Sequence, residues 1–191
     1  MKRRDFVKSC STGLAAAGSS LALGGLVHAQ QRERAGRRTP AIDADKMARS
    51  AYEHFIPGGL SCCEAMALIG CEALGIESEL IPDIALGLAG GIGFQGKTCG
   101  CVTGAALVLS LAVAAQESEY PQKKMRTLQA TARLYKKFEE TFGTTQCRAL
   151  CGLDLTTPEG RKALMAGVKE RKCSPLVQAT ARMLAKELPN V

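Results

Sequence analysis

Residues 102–115 read VTGAALVLSLAVAA and carry apolar side chains around the whole circumference of a helix. A helix that is apolar on every face is stable in a globular protein only when other helices surround it. The run is also too short to cross a bilayer, for which about 20 apolar residues are needed. It therefore predicts the central buried helix of a bundle.

The rest of the chain from residue 41 onward shows helical periodicity with clear start and stop signals. Ser61 and Glu64 have the spacing of a capping box, in which each side chain binds a backbone N–H of the other residue. Further helices are predicted at 43–55, 61–74, 78–88, 121–142 and 147–151, from 156 onward, and from a cap at Ser174. The predicted fold is all-α, a single compact bundle of six to eight helices with a glycine-rich loop before the central buried helix.

The first 29 residues resemble a twin-arginine export signal. Arg3 and Arg4 are followed by Phe6, an apolar stretch spans about 13–27, and Ala29 offers a small-residue cleavage site. An ordinary secretory signal and an uncleaved anchor are the alternatives. The predicted organisation is a signal peptide at 1–29, a basic disordered linker at 30–40 and a cysteine-rich helical redox domain at 41–191. We expect the twin-arginine machinery to export the protein to the periplasm, with no transmembrane domain in the mature form.

The positive charge of the chain lies mostly outside this domain. Of the formal net charge of +7, the signal carries +3 and the linker carries +3, which leaves +1 from residue 41 onward. The chain also has no tryptophan and few other aromatic residues that would stack on bases. Nucleic acid is therefore not an expected partner.

The glycine-rich loop, GGIGFQGKTCGC at 90–101, matches a phosphate-binding loop from Gly91 to Thr98. Such a loop binds nucleotides when it joins a buried strand to a helix, and no segment here supplies a parallel sheet. Nucleotide binding is therefore the less favoured interpretation. The glycines also permit positive φ angles and close backbone approach, so the loop is suited to present Cys99 at the start of the next helix.

The chain has nine cysteines, of which Cys10 lies in the signal. The other eight allow three interpretations. They are small hydrophobic core residues, the disulfide framework of an exported protein, or the ligands of a metal centre. The first interpretation fits Cys71. Paired C-x-x-C knuckles of a structural zinc site are absent, and a missing C-x-x-C-H excludes ordinary covalent haem. The residues alone leave these interpretations open.

Four motifs resemble the C_GCAxxG_C_C family of redox-active proteins. They are Ser61-Cys62-Cys63-Glu64-Ala65, Gly91-x-Gly93 to Thr98-Cys99-Gly100-x-x-x-Gly104, Phe142-Gly143 to Cys147-Arg148-x-Leu150, and Cys173 to Val177. The resemblance covers residues 44–186 and implies that Cys62, Cys99, Cys147 and Cys173, together with Gly100, form a cofactor site. The domain is also similar to the iron–sulfur part of split-Soret cytochromes c, which implies an iron–sulfur cluster of the [2Fe–2S] type.

The sequence departs from the family pattern at three cysteines. Cys101 stands where the family motif Cys-Gly-Ala-x-x-Gly has alanine, Cys63 adjoins Cys62, and Cys151 follows Cys147 by one helical turn. These residues are candidates for alternative ligands, for a thiol pair beside the cluster, or for packing.

The resulting expectation is an exported electron-transfer protein that binds an iron–sulfur cluster through cysteine thiolates. Twin-arginine export carries folded proteins, which suits a cofactor inserted before export. The alternative is a cofactor-free thiol–disulfide protein. No acid–base or nucleophile constellation points to turnover of a small substrate, so any enzymatic role is as an accessory to an oxidoreductase. The expected partner is an unidentified redox protein, and a homodimer stays open.

Overall fold

The computed structural model describes residues 42–191, and the predicted signal and linker lie outside them. Seven α-helices follow one another in this part of the chain: α1 (Ala44–Phe55), α2 (Cys62–Leu74), α3 (Gly100–Gln116), α4 (Tyr120–Phe142), α5 (Cys147–Cys151), α6 (Pro158–Ala163) and α7 (Ser174–Glu187). Two 3-10 helices, Asp83–Leu88 and Leu188–Asn190, and a π-helical segment, Leu164–Cys173, complete the described structure. The predicted all-α bundle is confirmed.

Helix α3 is the central element, as its composition predicts. It packs against α2, α4 and α7, while α1 packs across α2 and α7. Fully buried side chains fill the space between these helices, among them Val108, Leu109, Phe138 and Leu184. Burying a side chain of this size stabilises a fold by about 1.5–3 kcal/mol, so this core holds the helices together. None of the helices in residues 42–191 is long and apolar enough to cross a membrane.

The first two helices begin where their capping residues predict. The Asp43 carboxylate accepts hydrogen bonds from the N–H groups of Asp45 and Lys46, both at 2.9 Å. At the start of α2, the Ser61 N–H donates to a Glu64 carboxylate oxygen at 3.0 Å. Gly75 ends α2 in the left-handed conformation, with φ of 63°. These boundaries depend on local hydrogen bonds, which is why the sequence identifies them.

Two of the predicted helices differ in extent or exposure. The segment predicted as a helix at 78–88 forms only the 3-10 helix Asp83–Leu88. Pro82 lies inside the predicted helix, where it lacks an N–H donor and its ring clashes with the preceding turn. Helix α4 has the predicted length, yet Met125 and Leu128 are each 53% exposed, whereas Leu134 is buried. The apolar stripe of α4 therefore contacts the core only in its second half.

The entry to α7 also differs from the prediction. Ser174 is the first residue of α7 and makes no capping bond to the helix backbone, because the chain arrives from the π-helical segment already in a helical conformation. Its hydroxyl instead accepts a hydrogen bond from the Gln178 side chain at 3.2 Å. The segment before it contains a break at Ala166 and Gly167, where Gly167 has φ of 119°. Because of this kink, the segment does not run to Cys173 as one continuous helix.

Candidate functional site

Seven of the eight cysteines in the described residues cluster at one end of the bundle. They come from the starts of α2 and α3, from α5 and from the end of the π-helical segment: Cys62, Cys63, Cys99, Cys101, Cys147, Cys151 and Cys173. The eighth, Cys71, lies farther along α2 and is 2% exposed. All eight are free thiols in the structure.

The tightest group contains Cys62, Cys99 and Cys101, whose Sγ atoms all lie within 4.8 Å of one another. Cys62 and Cys99 belong to the predicted ligand set, whereas Cys101 is one of the three extra cysteines. The other two predicted ligands, Cys147 and Cys173, lie near enough for their charges to interact with Cys62. Cys62 is therefore the common neighbour of the group.

Gly100 allows this convergence because it has no side chain. A Cβ atom at this position would lie 2.5 Å from Cys62 Sγ and 3.2 Å from Cys63 Cβ. A larger residue would displace the Cys62 thiol from its present position and crowd the Cys63 backbone N, which would lie 3.2 Å from the added Cβ. Its role in the structure is to allow this close approach.

The glycine-rich loop is tied to the segment that carries Cys147. The Cys99 N–H donates to the Thr145 carbonyl at 2.8 Å, and the Cys147 N–H donates to the Lys97 carbonyl at 2.7 Å. Tyr135 on α4 holds the same segment through a 2.8 Å hydrogen bond between its hydroxyl and that of Thr145. These bonds fix the backbones of Cys99 and Cys147 side by side, although the two residues are far apart in sequence.

The loop does not have the arrangement of a phosphate-binding loop. It follows a 3-10 helix, and no strand precedes it in the described part of the chain. Each N–H from Ile92 to Lys97 already donates to a backbone carbonyl of residues 87–92. A phosphate would need those N–H groups free, so the geometry does not favour nucleotide binding here. Ile92 and Phe94 adopt positive φ angles, 63° and 66°, which are uncommon outside glycine and are not predictable from these residue types.

The environment of the cluster favours ionisation of one thiol in particular. The pKa of Cys99 is lowered to about 5, mainly because the Cys101 and Cys62 thiols donate hydrogen bonds to its sulfur, and burial only partly opposes them. Hydrogen bonding to Cys62 and Cys99, together with burial, raises the pKa of Cys101. Burial, with the nearby Cys62 charge, raises the pKa of Cys147 and raises that of Cys173 to about 12. Cys99 is therefore the thiolate at the centre of the group.

The remaining extra cysteines have other contacts. The Cys63 sulfur lies 3.1 Å from the Ser61 hydroxyl, and its side chain packs with Ala67 and Ala85. The Cys151 thiol donates weakly to the Leu153 carbonyl at 3.7 Å and packs beside Cys147. Packing and hydrogen bonding therefore hold Cys63 and Cys151 at the edge of the thiol cluster.

Lys169 is a feature of the site that the sequence analysis missed. Its ammonium donates a hydrogen bond to the Leu60 carbonyl at 3.0 Å and lies 4.5 Å from the centroid of the Phe55 ring. Its charge acts on Cys62 and Cys173, while burial lowers the pKa of Lys169 itself. Lys169 follows the break at Gly167 by two residues. In the sequence, only its position four residues before Cys173 indicates that it could lie near the thiols. The site therefore has a positive charge beside its thiols.

The family model described as "Putative redox-active protein (C_GCAxxG_C_C)" matches residues 60–187. The chain belongs to this family. The match includes the whole thiol cluster, and this cluster of cysteines fits a redox function and offers ligands for a metal. No curated protein and no solved structure matches the chain.

Proposed function

We propose that this C_GCAxxG_C_C protein is an exported electron-transfer protein whose thiolates bind an iron–sulfur cluster of the [2Fe–2S] type. The resemblance to the family offers Cys62, Cys99, Cys147 and Cys173 as candidate ligands. The observation that carries the proposal is the convergence of thiols from separate elements around the Cys62, Cys99 and Cys101 sulfurs.

The residues at the site fit such a cluster. Iron–sulfur clusters are held by cysteine thiolates, and the one close group of metal-binding side chains found in residues 42–191 consists of thiols alone. Cys99 and Cys101 are 4% and 1% exposed, so bulk water is kept from this end of the site. When bound, the cluster supplies one-electron chemistry, while the chain binds it, excludes water and places the Lys169 charge beside it.

Export to the periplasm through the twin-arginine pathway is part of the proposal and is supported by residues 3–8, RRDFVK. A protein carried in its folded state can receive its cofactor before export. In this location the protein would exchange electrons with a redox protein of the same compartment.

Thiol–disulfide exchange without a cofactor is a second candidate, favoured by a separate observation. Cys99 and Cys101 lie within 4.8 Å of each other, and Cys151 lies beside Cys147 on α5. Pairs of neighbouring thiols are what reversible disulfide formation requires.

An anaerobic absorption spectrum of the exported protein, with iron and acid-labile sulfide counted on the same sample, separates the two candidates. The iron–sulfur proposal predicts visible charge-transfer bands and equal amounts of iron and sulfide. A colourless protein that contains no iron, even after reconstitution with ferrous iron and sulfide, would contradict it.

Replacing Lys169 by methionine is expected to lower the midpoint potential of the cluster. Reduction adds a negative charge, and the ammonium beside Cys62 and Cys173 stabilises that charge. We expect the ratio of reduced to oxidised protein at a fixed potential to fall roughly tenfold, which corresponds to a shift of the midpoint potential by about 59 mV for a one-electron couple. A spectroelectrochemical titration measures this shift.

The matched control for this prediction is Lys162→Met, since Lys162 is exposed on α6. Lys169→Arg should restore most of the original potential because it retains the charge. Equal potentials in wild type and Lys169→Met would show that the ammonium has no part in tuning the cluster.

A further inference from the structure

Of the three cysteines at which this chain departs from the family pattern, Cys101 is the one whose sulfur lies in the close group with Cys62 and Cys99. The family motif has alanine at this position, and the four family cysteines do not include it. Cys101 is nevertheless 1% exposed, and its sulfur belongs to the one close group of three thiols found in the described residues. A cysteine placed this way is a small core residue, one member of a thiol pair or a metal ligand.

The spacing of the three sulfurs is close to that of thiolates that share a metal. Two thiolates on one tetrahedral ion, each about 2.3 Å from the metal, lie roughly 3.8 Å apart. The Sγ atoms of Cys62, Cys99 and Cys101 are all within 4.8 Å of one another. Each iron of a [2Fe–2S] cluster takes two cysteine thiolates, so small side-chain adjustments bring two of these sulfurs to one iron and the third to the other. Cys147 and Cys173 both lie outside this group, but Cys147 is buried at 8% exposure, whereas the Cys173 side chain is partly exposed.

The backbone also holds Cys101 in place. It lies in the first turn of α3, and close contacts at Gly100 and Gly104 hold that turn against α2. Cys147 is fixed in turn by its hydrogen bond to Lys97 in the loop that leads to Cys99. Cys173 has no such attachment to the loop, since it follows the broken π-helical segment.

We propose that Cys101 is a metal ligand in this chain and that it takes the place of Cys173 in the family set. The ligands are then Cys62, Cys99, Cys101 and Cys147, and Cys173 remains a free thiol at the edge of the site. This inference rests on the proposed function, because it names the ligands of the same centre.

The test compares Cys101→Ala and Cys173→Ala with Cys71→Ala as a matched control, since Cys71 is a buried thiol outside the cluster. Each full-length variant is reconstituted anaerobically with ferrous iron and sulfide, and bound iron and sulfide are counted. Cys101→Ala should lose most of its bound cluster, whereas Cys173→Ala and Cys71→Ala should load like the wild type. Alanine is the family's own residue at position 101, and a circular dichroism spectrum checks that each variant is folded; Cys101→Ser serves as a second variant of similar size.

A second readout uses Co²⁺ alone, whose thiolate charge-transfer absorption increases with the number of bound sulfurs. Cys101→Ala should give a weaker band and bind Co²⁺ at least roughly tenfold more weakly, because loss of a mere hydrogen-bond partner of a ligand already costs about that much. Wild-type behaviour of Cys101→Ala in both assays overturns the inference, and loss of the cluster in Cys173→Ala overturns the exchange of ligands. A wild-type protein that takes up no iron and sulfide defeats the proposed function instead, and the Co²⁺ comparison still decides the role of Cys101.

Discussion

Replacing Cys99 by serine is expected to reduce bound iron and sulfide to background while the helical fold persists. Cys99 lies in the group of three close sulfurs, and the hydrogen bonds from Cys101 and Cys62 lower its pKa to about 5. A metal binds the thiolate form of cysteine, and these hydrogen bonds favour that form at Cys99. Serine supplies a hydroxyl that stays protonated and is a poor ligand for a thiolate-bound metal.

The measurement is the iron and sulfide content of the purified protein, together with its visible spectrum. Cys71→Ser is the matched control, because Cys71 is a buried cysteine on α2 that makes no contact with the cluster. It should retain the wild-type iron content. A Cys99→Ser protein with the wild-type spectrum would remove Cys99 from the ligand set and with it the main role of the glycine-rich loop.

Replacing Gly104 by valine is expected to destabilise the protein by about 2–3 kcal/mol, in the range found for overpacked cores. A Cβ at this position would lie 2.5 Å from the Cys63 carbonyl oxygen and 2.9 Å from Cys63 Cα. Both atoms belong to the backbone of α2, so the clash is relieved only if α2 and α3 separate. The midpoint of thermal unfolding should fall by roughly 5–10 °C for a domain of this size.

Gly87→Val is the matched control for Gly104→Val, since a Cβ at Gly87 would meet no atom within 4 Å and the residue has no positive φ. Its unfolding midpoint should stay close to that of the wild type. Gly104→Val should also bind less iron, because moving α2 displaces Cys62 and Cys63 at its start. A valine variant as stable as the wild type would mean that α2 and α3 are less closely packed at this crossing.

Much of the fold can be predicted from the sequence because its signals are local. The Asp43 cap, the Ser61 and Glu64 pair and the left-handed glycines after α2 and α4 each act within a few residues of the chain. The all-apolar composition of 102–115 likewise requires a central position whatever the neighbours are. Errors occur where a single residue outweighs the periodicity, as Pro82 does, or where burial depends on distant helices, as for Met125 and Leu128.

The site can be predicted in outline but not in detail. Family motifs identify four cysteines, and the structure places these four together with Cys63, Cys101 and Cys151. The sequence does not show that Cys101 is closer than Cys173 to the Cys62 and Cys99 sulfurs, because that depends on how α3 crosses α2 at Gly100 and Gly104. Nor does it show that Lys169 reaches the Leu60 carbonyl, since a break in the π-helical segment sets its direction.

Mössbauer spectroscopy of full-length protein, purified anaerobically from cells grown on ⁵⁷Fe, is the sharpest test of the proposal that thiolates of this chain hold an iron–sulfur cluster. We expect iron in tetrahedral sulfur coordination, with the two ferric ions of the oxidised [2Fe–2S] cluster magnetically coupled to a diamagnetic state. Spectra without protein-bound iron, or with iron bound to oxygen and nitrogen only, would contradict it.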